Sequence, residues 1–193
     1  MQKSAVLILL ALTACNREPE VNARNASVAE VADKVADAAA SGAFVRPGKW
    51  HSTVTIERME VPGMPPELAQ RMKSMMADRH SAGSDSCLTP EDVKRPKEGF
   101  FAGADKSCRY DRFTMAGGKI DAVMKCASGG ASQTMTMTGT YGPDDYRMQM
   151  TMDGAQAGGA TDRGMNMTMR VDAKRVGQCD GKTACWGAQK CGR

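Results

Sequence analysis

A cysteine that closes a short apolar run is a site for covalent lipid attachment, and Cys15 is placed in that way. Lys3 supplies a positive start, residues 5–14 are almost wholly apolar, and Leu12-Thr13-Ala14-Cys15 ends the run with small residues before the thiol. The run is shorter than the roughly 20 residues a membrane-spanning helix needs, so residues 1–14 are predicted to be a lipoprotein signal peptide. Cleavage would leave Cys15 as the N-terminus. Its thioether-linked chains and an N-acyl chain would then anchor the protein stably, whereas a single chain binds only marginally. Asn16 follows instead of the Asp that often retains lipoproteins in the inner membrane, which points to the outer membrane, facing the periplasm.

A second group of residues with distinctive chemistry is the methionines, 16 in a chain of 193. Met135 and Met137, then Met148, Met150 and Met152, then Met165, Met167 and Met169 alternate mostly with Thr, Gln or Asn. In a strand, period two places each set on one sheet face. Thioethers are soft ligands for Cu(I) or Ag(I), and Met is also an adaptable packing residue. The expectation is a structural core. The alternatives are a pocket for a lipid or other apolar ligand, lined by Met72, Met75, Met135, Met137, Met148, Met150, Met167 and Met169, and a soft-metal site on the same stripes. No metal or cofactor is assigned.

Besides Cys15 there are six cysteines, Cys87, Cys108, Cys126, Cys179, Cys185 and Cys191. An even number in an exported chain is read as three disulfides. No C-x-x-C pair occurs, and His51 and His80 lie far from the cysteines in sequence, so a zinc site is disfavoured. Enzymatic signatures are missing too: there is no G-x-S-x-G elbow, H-E-x-x-H helix, phosphate loop or dinucleotide fingerprint. His51 and His80 read as structural or surface residues, and Asp144 with Asp145 as turn residues. The expectation is a non-enzymatic protein. A net charge of +4 is mild, and an exported compartment excludes nucleic acid as a partner. The partners expected are the membrane, through the anchor, and an unidentified protein or apolar ligand.

These residues need a scaffold. Residues 16–26 are polar. Ser27 and Glu30 then form a capping box opening an Ala-rich helix with Val28, Val31 and Val35, whose narrow apolar stripe reads as a tether helix lying loosely on the body, or as a weak coiled-coil contact, and not as a core element. Residues 49–60 alternate as a strand, with Trp50, Ser52, Val54, Ile56 and Arg58 on one face. Pro66 is suited to the first turn of a helix reaching about residue 79, whose stripe of Leu68, Met72, Met75 and Met76 should pack on a sheet. Thr89-Pro90-Glu91-Asp92 starts a short helix. Residues 107–115 and 119–126 flank Ala116-Gly117-Gly118, a hairpin signal that would bring Cys108 nearly opposite Cys126. Residues 133–141, 146–152 and 165–172 continue an antiparallel meander. Pairing Cys179 with Cys87 and Cys185 with Cys191 would complete the set, one of 15 connectivities.

Gly48-Lys49-Trp50, Pro62-Gly63-Met64-Pro65-Pro66, Cys87-Leu88-Thr89-Pro90-Glu91, Ser107-Cys108-Arg109-Tyr110 and Val176-Gly177-Gln178-Cys179 occur in that order. Together they resemble the proteobacterial envelope family called domain of unknown function 3617, over residues 45–179. The resemblance implies exported proteins, often lipid-anchored, with four cysteines at the positions of Cys87, Cys108, Cys126 and Cys179 and no established activity. Cys185 and Cys191 fall outside its pattern.

The organisation expected is a signal peptide at 1–14, a lipidated tether with a short helix at 15–44, a disulfide-stabilised β-rich domain at 45–179 and a Cys/Lys-rich tail at 180–193. The fold expected is mainly β (α+β), an antiparallel meander or partly open barrel of six to seven strands with one packed amphipathic helix.

Overall fold

The computed structural model describes residues 19–41, 44–80, 83–94, 107–128, 130–156 and 164–180. Within them the chain forms β1 (Val21–Ser27), α1 (Val28–Ser41), β2 (Gly48–Glu60), α2 (Pro66–His80), β3 (Ser84–Leu88), α3 (Pro90–Lys94), β4 (Cys108–Ala116), β5 (Lys119–Ser128), β6 (Ala131–Tyr141), β7 (Asp145–Gln156) and β8 (Asn166–Gly177). All strands join one open antiparallel sheet in the order β1-β4-β5-β6-β7-β8-β2-β3. The mainly-β antiparallel class is therefore as expected. The sheet has eight strands because β1 and β3 add an edge on each side of the meander. No described helix is long and apolar enough to cross a membrane.

The β4–β5 connection is a two-residue turn with Gly117 and Gly118 both at positive φ, 54° and 70°. That conformation matches the right-handed twist of paired strands and is one only Gly, Asn or Asp adopts readily. Ahead of α1, the Ser27 hydroxyl accepts from the Glu30 amide (3.2 Å) while the Glu30 carboxylate accepts from the Ser27 amide (2.6 Å), a closed capping box. That backbone hydrogen bond, with the Ser27 side chain adding to it, holds the Glu30 pKa below the usual carboxylate value. Thr89 and Asp92 cap α3 in the same reciprocal way, at 2.8 Å and 3.1 Å.

Residues 21–41 depart from the expected tether. β1 pairs with β4, Val21 opposite Met115 and Ala26 opposite Tyr110. Val31 and Val35 of α1 are 0% and 3% exposed and pack in one buried cluster with Tyr110, Phe113, Ile120 and Ala122. The small side chains of α1 let the helix lie close to the sheet, so an Ala-rich stripe that looked too weak for a core serves as one. β1 was masked by its short inward side chains and by Asn25, whose left-handed φ of 47° interrupts the alternation. Arg109 secures that turn by donating to the Asn25 carbonyl.

The packed amphipathic helix is thus α1. On α2, Leu68 and Met75 are 52% and 61% exposed. This helix lies beside β2, where Lys73 Nζ donates to the Glu57 carbonyl (3.1 Å). Its apolar stripe does not pack into the core as its periodicity predicted.

Candidate functional site

Strand register turns the methionine alternation into rows. Met135, Met152 and Met167 lie directly opposite one another on β6, β7 and β8, and so do Met137, Met150 and Met169. The first row continues to Met124 on β5 and to Met59 on β2. The second runs on to Ala122 and Phe113 on one side and Ile56 on the other. A third row contains Ile120, Gly139, Met148, Val171 and Val54. Directly opposed side chains have Cβ atoms about 4.5–5.5 Å apart, so neighbouring thioethers are within reach of one another.

Met59 belongs to this face through an irregularity that alternation does not reveal. A register shift lies between Ile56 and Arg58, and it makes Glu57 the extra residue of a bulge. Arg58, expected beside Ile56, turns out to solvent and bonds Glu60 (2.7 Å), while Met59 takes its place opposite Met167.

The face is covered unevenly. Where α1 lies over β1, β4 and β5 the side chains are mostly Phe, Tyr, Ile, Val and Ala, joined by Met115 and Met124, and Phe113 and Ala122 are fully buried. Over β6, β7 and β8 the apolar side chains are mainly Met. There Met137 and Met167 are 6% exposed, whereas Met135, Met148, Met150, Met152 and Met169 are only partly buried. At the far end Trp50 is buried, stacks near Tyr146 (5.8 Å between ring centres) and donates from Nε1 to the Arg46 carbonyl (3.1 Å). Burial raises the Tyr146 phenol above its usual pKa. The opposite face of the same strands is polar. Glu57 accepts from Arg170 (2.7 Å) and Gln149 (2.9 Å), and Asp172 accepts from Arg170 (2.9 Å) and Arg147, whose hydrogen bond is the main cause of its depressed pKa.

Other candidates fall elsewhere. Cys108 is bonded to Cys126 and Cys87 to Cys179, with Cα atoms 4.0 and 5.5 Å apart. Beside the second bridge, Asp85 accepts from His51 (2.8 Å) and pairs with Lys49 (3.0 Å), which lowers its pKa. Asp144 pairs with Arg46, and its carbonyl accepts from the Arg175 amide (2.8 Å), so it fastens the β6–β7 turn. Met72 is partly buried, and neither it nor Met75 joins the buried cluster. Cys15, Cys185 and Cys191 lie outside the described residues. Among the described residues no three His, Cys, Asp or Glu come together as a metal site. Met59 and Met124 are the members of the rows that alternation alone missed. Each is a single Met in its strand, and only cross-strand register reveals it.

The fold and this face define a class: a disulfide-braced, one-sheet antiparallel β-protein with a methionine-lined face. Residues 45–179 match the family described as a protein of unknown function, DUF3617, and the chain belongs to that family. Neither the curated proteins nor the solved structures contain a match to it. β1 and α1 precede the matched region, yet they supply a large part of the buried cluster.

Proposed function

We propose that the protein is an exported, non-enzymatic lipoprotein, anchored through Cys15 to the outer membrane and facing the periplasm, whose methionine face binds the acyl part of a lipid. The observation that carries this reading is the contiguous block of partly buried Met on β6, β7 and β8, beyond the cover of α1. Met side chains repack around varied apolar shapes. The anchor supports a lipid as the occupant, because β1 begins at Val21 and the segment from Cys15 to Val21 spans at most about 20 Å. The body is thereby held against the bilayer instead of standing off on a long tether.

The test uses the mature, lipidated protein extracted from membranes. Native mass spectrometry should reveal a co-purified lipid, and the fluorescent probe N-phenylnaphthylamine should bind in competition with it. Met150→Arg, which places a charge at the centre of the face, should abolish probe binding with the circular dichroism spectrum intact. Undiminished probe binding in that variant would rule the face out as the site.

A further inference from the structure

The six central methionines form a two-by-three array: Met135, Met152 and Met167 in one row, Met137, Met150 and Met169 in the next. Apolarity alone does not account for it. Ile and Val have the higher strand propensity, and Ile or Leu loses less side-chain entropy than Met when ordered. The same sheet uses such residues where α1 covers it, with Phe113 and Ile120 packed against Val31 and Val35. Methionine is concentrated instead on the strands that α1 leaves partly open. What Met alone among apolar side chains supplies is a sulfur donor.

From this register we propose that the array binds one soft monovalent cation, Cu(I) or Ag(I), through the thioethers of Met135, Met152 and Met167. Three adjacent strands stand about 4.8 Å apart, and each Met has three rotatable side-chain bonds, so three sulfurs can converge on one ion. Thioethers prefer soft cations and bear no charge, so the site selects against Zn(II), Mg(II) and Ca(II), which favour charged or oxygen donors. The second row supplies neighbouring thioethers and a wall of low polarity. Met124 and Met167, on either side, are 5% and 6% exposed, and Met135 and Met152 between them are partly buried, so the row is accessible at its middle. The ion is bound in the oxidation state in which it arrives, and no electron moves.

This inference does not rest on the lipid reading, and one set of variants separates the two. The full mature chain, with Cys185→Ser and Cys191→Ser in every sample so that thiols cannot compete, is titrated with silver nitrate in chloride-free buffer and followed by native mass spectrometry. Cu(I) is tested anaerobically in competition with bicinchoninate, with X-ray absorption to identify the scatterers. The expected result is one equivalent bound, with sulfur as the only ligand type. The triple variant Met135→Leu/Met152→Leu/Met167→Leu should weaken binding at least tenfold while keeping its fold and its binding of N-phenylnaphthylamine. Met72→Leu/Met75→Leu, on α2, should bind as the parent does. No uptake by the parent protein overturns the proposal, as does equal uptake by the triple variant. Ag(I) uptake by a parent protein that binds no N-phenylnaphthylamine would overturn the lipid reading alone.

Discussion

Cys108 faces Cys126 because β4 carries one residue more than β5 between the bridge and the Gly117-Gly118 turn. Ala116 pairs with Lys119 and Arg112 with Val123, and an unbroken ladder would put Cys108 opposite Ala127. The register shift between Tyr110 and Arg112 leaves Asp111 as the extra residue and moves Cys108 by one position. The bulge, more than the turn, brings the two sulfurs together. Deleting Asp111 should therefore leave a regular ladder with Cys108 still opposite Cys126 and the bridge intact, whereas a second residue inserted beside Asp111 should offset the two cysteines and leave them reactive to a thiol reagent in the folded protein.

The two described bridges close loops of different length, with sequence separations of 18 and 92. Chain entropy assigns about 3 kcal/mol to the short loop and about 4.6 kcal/mol to the long one. Cys87→Ala/Cys179→Ala should thus lower the urea midpoint more than Cys108→Ala/Cys126→Ala. The reverse order would show that strain or residual structure outweighs loop closure.

Val31 is fully buried between α1 and the sheet, whereas Leu68 on α2 is 52% exposed. Val31→Ala removes two buried carbons and leaves a small cavity, a loss of about 2 kcal/mol. Leu68→Ala should change stability by less than about 0.5 kcal/mol. Equilibrium denaturation of the two variants checks whether residues 21–41 are part of the folded body.

Those residues also mark where sequence alone stops being informative. Period-two alternation exposes β2 and β4 to β8 because one face of each is apolar and the other polar. It does not expose β1, whose inward positions Val21, Ala23 and Ala26 change spacing across Asn25. Register is hidden for a similar reason: the extra residues at Asp111 and Glu57 have ordinary side chains, and only strand pairing shows that they are extra. The Met stripes were therefore legible strand by strand, but their alignment into rows and the inclusion of Met59 and Met124 were not. Helix periodicity misled on α2, because a stripe specifies a face and not what covers it.

Burial pushes the Tyr110 phenol up from 10.0 to about 12, since ionisation would place a charge in the cluster beside Phe113, 5.2 Å away. The folded state therefore holds the phenolic proton more tightly than the unfolded chain does. This contribution to stability is fully present below pH 10.0 and is lost as the pH rises towards about 12. Tyr110→Phe should flatten the fall of the denaturation midpoint across that window. An unchanged slope would mean that other groups govern alkaline unfolding.

The anchor proposed at Cys15 carries a prediction of its own. Val21 pairs with Met115, so β1 begins at the end of the sheet that bears the Gly117-Gly118 turn and the β6–β7 turn. With at most about 20 Å of chain between Cys15 and Val21, that end must lie near the lipid surface when Cys15 is acylated. A flexible Gly/Ser insertion of about 30 residues after Asn16 would add roughly 30 Å of root-mean-square reach. It should slow transfer of N-phenylnaphthylamine from vesicles to the lipidated protein several-fold while leaving its affinity in solution unchanged. Equal transfer rates would mean that the face loads from solution and that proximity to the bilayer plays no part. A parallel change in both readings would instead indicate that the insertion disturbs β1, which the denaturation midpoint of the same variant would reveal.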